Sequence, residues 1–290
     1  LPDTGVTTRP TPLDHDPSAA IPEPAVPPAA ATGGWRRRLS SRQSQLWTAL
    51  VLLVVLAGIQ ITSLFMPEYV FPDLPAIGQA LMEILRDERG DITATVLRFT
   101  GALLGAMVAG WAIGLLMGAF RNTVGELLRP VFGIMQAVPA LSWILVSVIW
   151  LHSVEARIFF IVFVIGVPFF VVAVFEGIRN IDHELMEGIG QFRPSRLQIL
   201  RVLFVPQSLT YMLMTLRSAG AFCLRILVFA ELIGATAGVG YSMGLAQANF
   251  RIDLIFAWTV VLVVFNFLLT AVVDLAERHL LKWRREAVVR

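Results

Sequence analysis

Six apolar runs set the pattern of this chain, at residues 46–65, 96–120, 131–151, 158–178, 202–233 and 254–273. Each is long enough to cross roughly 30 Å of hydrocarbon as a helix. The polar positions gather in short blocks between them. This pattern predicts an all-α polytopic membrane protein with about six transmembrane helices. The fifth run is overlong, and its first turns, around Pro206, are expected at the interface or in the cytoplasm. Residues 75–86 follow a different rhythm. Ile77, Leu81, Ile84 and Leu85 recur on one helical face, which predicts an amphipathic helix on the outer surface.

Charge gives the runs a direction. With the N-terminus inside, one side of the membrane holds Arg36, Arg37, Arg38 and Arg42, then Arg121 and Arg129, then Arg179, Arg193, Arg196 and Arg201. It ends with Arg278, Lys282, Arg284, Arg285 and Arg290. The other side holds the acidic stretch from Glu68 to Asp91, then Glu155 with Arg157, then Arg251 with Asp253. Basic residues mark the cytoplasmic face, so both termini are expected in the cytoplasm and the protein in a bacterial inner membrane.

Composition narrows the picture further. Hydrophobic residues make up 56% of the 290 positions, and mean hydropathy is +0.72. A soluble surface could not accommodate that, so membrane lipids are the expected solvent. A net charge of +2 gives no reason to expect a nucleic-acid partner. Cys223 is the only cysteine, and His15, His152, His183 and His279 lie far apart, so no metal site is expected. The chain carries no phosphate-binding G-x-x-x-x-G-K-[ST] and no catalytic G-x-S-x-G or H-E-x-x-H. Catalytic residues and a resident cofactor are therefore not expected. Residues 1–34, with Pro2, Pro10, Pro12, Pro17 and Pro22 among many prolines, read as a disordered cytoplasmic tail. Residues 35–290 form the transmembrane domain.

Several residues inside the runs carry structural or functional expectations. Gly101 and Gly105, then Gly110, Gly114 and Gly118, put small residues every four positions on the second span. Such a stripe lets another backbone approach closely, most simply a helix of the same subunit. Pro139 and Pro168 should kink or break their helices. Arg217, Arg225 and Glu231 are charges within the fifth run, and they do not share one helical stripe. Arg217 is expected to pair with a neighbouring helix and Glu231 to cap the outer end. Arg225, the deepest, is expected to face a path or a buried acid rather than lipid.

The segment 183–206 is too long and too charged for a simple turn, and a long structured loop is often functional. It contains Glu187, then Gly188 and Ile189, then Arg193, and ends on Leu203, Phe204, Val205 and Pro206. This resembles the loop of ABC importer permeases whose pattern is Glu-Ala-Ala, three residues, Gly, nine residues, Ile-x-Leu-Pro. Glu187 falls on the Glu and Pro206 on the Pro. The stretches Ala230 to Gly234, Gly238 to Tyr241 and Phe250 to Asp253, with Phe71 to Pro75 and Pro139 to Trp143 upstream, resemble the nitrate/sulfonate/taurine/bicarbonate branch.

The resemblance implies a type I importer permease that forms the translocation path for a small anionic or polar solute. It implies a second permease subunit, identical or different, a cytoplasmic ABC ATPase dimer that binds the ATP, and a periplasmic or lipid-anchored substrate-binding protein. Glu184, Met186, Glu187, Gly188, Ile189, Gly190, Arg193 and Pro194 are the residues expected to couple to the ATPase. Arg225, Gln136 and Ser142 are the expected residues of the path. A secondary transporter or channel is the alternative, but it would call for paired intramembrane acids or inverted repeats.

The loop departs from the pattern at Gly188, Ile189 and Arg193, which replace two alanines and a glycine. Pro194 disfavours the α region for Arg193. Residues 184–192 are therefore expected to form one helix, with Arg193 extended and Pro194 opening the next helix. Met186, Ile189 and Gly190 would then form a small apolar knob.

Overall fold

The computed structural model describes residues 41–67, 70–181 and 183–280. The proposed tail at residues 1–34 lies outside them, as do the last basic residues after Leu280. By its internal contacts the chain divides after Leu53 into two units. The first contributes the start of helix α1 (Ser41–Phe65), and Leu46, Trp47 and Leu50 there are exposed. The second unit carries all that follows.

Every regular element among the described residues is helical. After α1 come α2 (Leu74–Asp87), α3 (Arg89–Ala119), α4 (Glu126–Ala137), α5 (Ala140–Trp150), α6 (Val154–Arg179), α7 (His183–Gly190), α8 (Arg196–Ile199), α9 (Val205–Gly234), α10 (Val239–Ala248) and α11 (Ile252–Leu280). π-helical turns at Arg121–Gly125 and Leu200–Phe204 lead into α4 and α9. Among the described residues five helices are long and apolar enough to cross a membrane, and the bent pair α4–α5, counted as one span, makes a sixth.

The two prolines act differently. At Pro139 the helix breaks: Val138 and Pro139 are extended, and the flanking helices meet at 91°. The pre-proline restriction on Val138 explains this. Pro168 is expected to kink or break its span, and of the two the break does not occur, because α6 runs through it as one helix. Pro168 is buried, and so are Gly166, Val167 and Phe170 around it. Packing on all sides holds a helix that has lost one hydrogen bond.

The glycine stripe explains how α3 meets α6. A Cβ at Gly110 would lie 2.5 Å from Phe170 Cβ, at Gly114 2.7 Å from Val174 Cβ, and at Gly118 2.5 Å from Ile178 Cδ1. The stripe therefore serves packing within the subunit. Gly101 has nothing within 4 Å. Gly114→Val should cost about 1–3 kcal/mol by overpacking, whereas Gly101→Val should cost little. Thermal unfolding of both variants in detergent checks this, and equal melting temperatures would refute it.

α2 is capped by Asp73, whose carboxylate accepts the Ala76 N–H at 2.8 Å, and Pro75 stands in its first turn. Its buried face is Ile77, Ala80 and Ile84, packed on Ala257 and Trp258 of α11. Leu85, expected on that face, is exposed. Arg251 ties the two helices together through Glu83 (2.9 Å) and Asp253 (2.8 Å). The hydrogen bonds to Asp253 and Glu83 raise its pKa above the ordinary arginine value.

Candidate functional site

The segment 183–206 folds as two short helices around a tight turn. Gln191, Phe192 and Arg193 donate their N–H groups to the carbonyls of Glu187, Ile189 and Gly190, at 3.2, 3.1 and 3.0 Å. This winding ends α7 at Gly190 and leaves Arg193 with φ 48°. The expected helix to Phe192 and the expected extended Arg193 are thus both corrected. Two successive bonds to the carbonyl three residues back tighten this end of the helix, and Arg193 closes the turn in the left-handed region. Arginine there replaces the glycine that would adopt it freely. Pro194 does not open α8 either. Ser195 caps it, its Oγ accepting the Gln198 N–H (3.3 Å) while Gln198 Oε1 accepts the Ser195 N–H (2.7 Å). This is a reciprocal capping box with glutamine at the third position.

The side chains of the turn also differ from the expected knob. Met186 is half-buried and lines a cavity of about 340 Å³ with Phe120, Ile178 and Phe204, so it faces its own bundle. Ile189 is half-buried, while Glu184, Glu187, Gly188 and Gly190 are exposed. Leu197 (68%) and Val202 (71%) are exposed further along the segment, and the apolar group that projects most is Phe192, 86% exposed. Sequence reading passed over it because its exposure depends on where α7 stops.

At the far end of the bundle, three successive N–H groups opening α10 are held by side chains from other helices. Gly238 donates to Asp91 Oδ1 (2.8 Å), Val239 to Thr95 Oγ1 (2.8 Å) and Gly240 to Glu231 Oε2 (3.0 Å). A helix N-terminus favours such acceptors. Glu231 is fully buried. It also accepts from the Thr95 hydroxyl (2.8 Å) and pairs with Arg98 (3.0 Å). Arg98 reaches on to Glu155 (2.8 Å) and to the Ala237 carbonyl (2.7 Å). Gly238 has φ 115°, and a Cβ there would lie 2.4 Å from the Glu231 carboxylate. A Cβ at Gly240 would lie 2.2 Å from the Val228 carbonyl. The Gly238 to Tyr241 motif is therefore the backbone half of a buried polar joint among α3, α6, α9 and α10.

The remaining intramembrane charges separate clearly. Arg217 pairs with Asp274 on α11 and lies 3.5 Å from Glu277. Arg225 has no acid partner among the described residues; its Nε donates to the Ala221 carbonyl at 3.1 Å. Its side chain lines a groove of about 590 Å³ between α9, α10 and α11. Gln136 and Ser142 are exposed on either side of the α4–α5 break. The structure does not bring these two into the Arg225 groove. Among the described residues no cluster of histidine, cysteine and carboxylate could hold a metal.

A bundle of long apolar helices with one broken span and a polar two-helix loop is the architecture of a multi-pass membrane protein. The chain belongs to the family described as "Binding-protein-dependent transport system inner membrane component", whose profile matches residues 110–285. It is similar to the taurine transport system permease protein TauC of Escherichia coli (strain K12), with 29% identity over 87% of this chain and 94% of that one. It is also similar to the putative aliphatic sulfonates transport permease protein SsuC of Bacillus subtilis (strain 168), with 32% identity over 63% of this chain and 66% of that one. The fold matches an inward-facing structure of the MetNI methionine ABC transporter, with a TM-score of 0.55, 14% identity, and coverage of 66% of this chain and 97% of that one.

Proposed function

We propose that this chain is a permease subunit of an ATP-driven importer for a small anionic solute, and that residues 183–206 dock on a cytoplasmic ATPase. The observation that carries this reading is the loop itself. It keeps the family spacing from Glu187 to Pro206, and it folds as two short helices, the second capped by Ser195, with a projecting turn between them. A partner that pulled on such an element would move α6 and α9, the spans on either side of it. The ATP sites belong to the ATPase dimer, and a binding protein delivers the solute from outside.

A second permease subunit completes the path. Broken helices are tolerated at membrane depth where they are covered by protein or line a wet cavity, which supports a place on the path for Gln136 and Ser142. The similarity to SsuC, described as an aliphatic sulfonates permease, supports an anionic solute of the sulfonate kind.

Two experiments test the reading. Co-expression with a cognate ATPase should give a stable complex with ATPase activity, and a chain that purifies alone under all conditions would overturn it. The orientation follows from the positive-inside asymmetry. Asp87→Cys should react with an impermeant maleimide added outside, and Arg284→Cys should not. The native Cys223 is buried and does not confuse the assay. The opposite labelling would place 183–206 outside and exclude the docking role.

A further inference from the structure

The groove between α9, α10 and α11 holds one charge in an apolar setting. Of its lining residues only Arg225, Thr259 and Asn266 carry polar side chains, and Leu224, Met243 and Phe267 are typical of the rest. The Thr259 hydroxyl is already committed to the Ile255 carbonyl at 2.8 Å. Arg225 uses its Nε on its own helix, and among the described residues its terminal nitrogens meet no acceptor. Arg225 is exposed in the single chain, and an arginine within a membrane span is expected to face a cavity or a partner charge, for which an anion in this groove would serve. Its planar fork fits the oxygens of a carboxylate or sulfonate.

We propose that this groove binds an organic monoanion with an apolar body, an alkyl or aryl sulfonate or carboxylate, whose head sits on Arg225 and whose chain lies along α10 and α11. The proposal rests on the permease reading above and specifies its solute. The volume of about 590 Å³ is that of a small-molecule site. Nitrate would occupy a small part of it and leave the apolar wall wet. A zwitterion such as taurine would bring an ammonium group against that wall and close to a like charge. An anion with a longer chain satisfies both halves, and each methylene buried should tighten binding about fourfold.

The test uses the assembled permease–ATPase complex in phosphatidylcholine nanodiscs, with Asn266→Cys as the reporter and Thr259→Cys as a second reporter. Maleimide labelling is timed in the presence of ethanesulfonate, butanesulfonate, hexanesulfonate, hexanol or sodium nitrate. A ligand at about five times its Kd should slow labelling about sixfold. Hexanesulfonate should protect best, butanesulfonate less and ethanesulfonate least, with nitrate and hexanol ineffective. Arg225→Met should abolish protection and Arg225→Lys should keep a weaker part of it.

Four results would overturn the proposal: protection independent of chain length, equal protection by hexanol, protection that survives Arg225→Met, or full protection by phosphatidylglycerol in place of added ligand, which marks a lipid seat. A thiol reactive in the isolated permease but silent in the complex would also overturn it, because the partner permease would then cover the groove. ATPase activity in the same sample separates the two readings. A complex that hydrolyses ATP but shows no protection sinks the groove alone, and a chain that holds no ATPase sinks the permease reading.

Discussion

Arg98→Met is expected to destabilise the bundle by about 3–5 kcal/mol, because it strands a buried carboxylate. Glu231 is fully buried, and Arg98 is its ion-pair partner. The Thr95 hydroxyl and the Gly240 N–H remain as donors, but neither supplies a compensating charge. Glu155, the other acid on Arg98, has a side chain 66% exposed. Water screens that pair, so Glu155→Ala should cost less than about 1 kcal/mol. The discriminating variant is the double one. Arg98→Met combined with Glu231→Gln removes both charges while the amide oxygen can still accept from Gly240, and it should recover most of the loss. Unfolding in detergent as a function of temperature or denaturant reads all four proteins. If Glu155→Ala hurts as much as Arg98→Met, or if the double variant recovers nothing, the energetic role assigned to Glu231 is wrong.

This joint also shows where sequence reading stops. The apolar runs were legible because a span needs about 20 apolar residues in a row, and the described helices follow them closely. The break at Pro139 was legible because its cause is the adjacent residue, Val138. The continuity of α6 through Pro168 was not, since whether a helix survives a proline depends on what packs around it, here the glycine face of α3. Glu231 was expected to cap the outer end of its helix. Its partners Thr95 and Arg98 stand 136 and 133 residues away in sequence, and no local spacing connects them. The signal that existed was the pair Gly238 and Gly240, whose missing side chains make room for the carboxylate and for α9.

In the loop the error was one of handedness. Pro194 predicts the break at residue 193 because it disfavours the right-handed α region and favours extended backbone, and nothing in that restriction points to the left-handed region. The hydrogen bonds that close α7 then draw Arg193 into it.

The second large effect is expected at the same turn. Phe192→Ala should lower ATPase stimulation in the assembled complex about tenfold or more, as loss of an aromatic anchor at the centre of an interface does. Phe192 is 86% exposed, and Arg193 beside it has φ 48°. A left-handed arginine costs about 1–2 kcal/mol, so this turn is held against its own backbone preference, and the result is a phenylalanine ring pointing away from the bundle. Met186 makes the contrast. It lines the cavity beneath the loop, so Met186→Ala should lower the stability of the permease more than its coupling. Arg193→Gly should relieve the backbone cost and leave stimulation at or above the wild-type level, because glycine adopts the same conformation freely. The measurements are ATP hydrolysis by the purified complex and the fraction of permease that retains its ATPase through size exclusion. Full stimulation by Phe192→Ala would remove the ring from the docking surface. A collapse of coupling in Arg193→Gly, with the complex intact, would mean that the arginine side chain rather than the turn makes the contact.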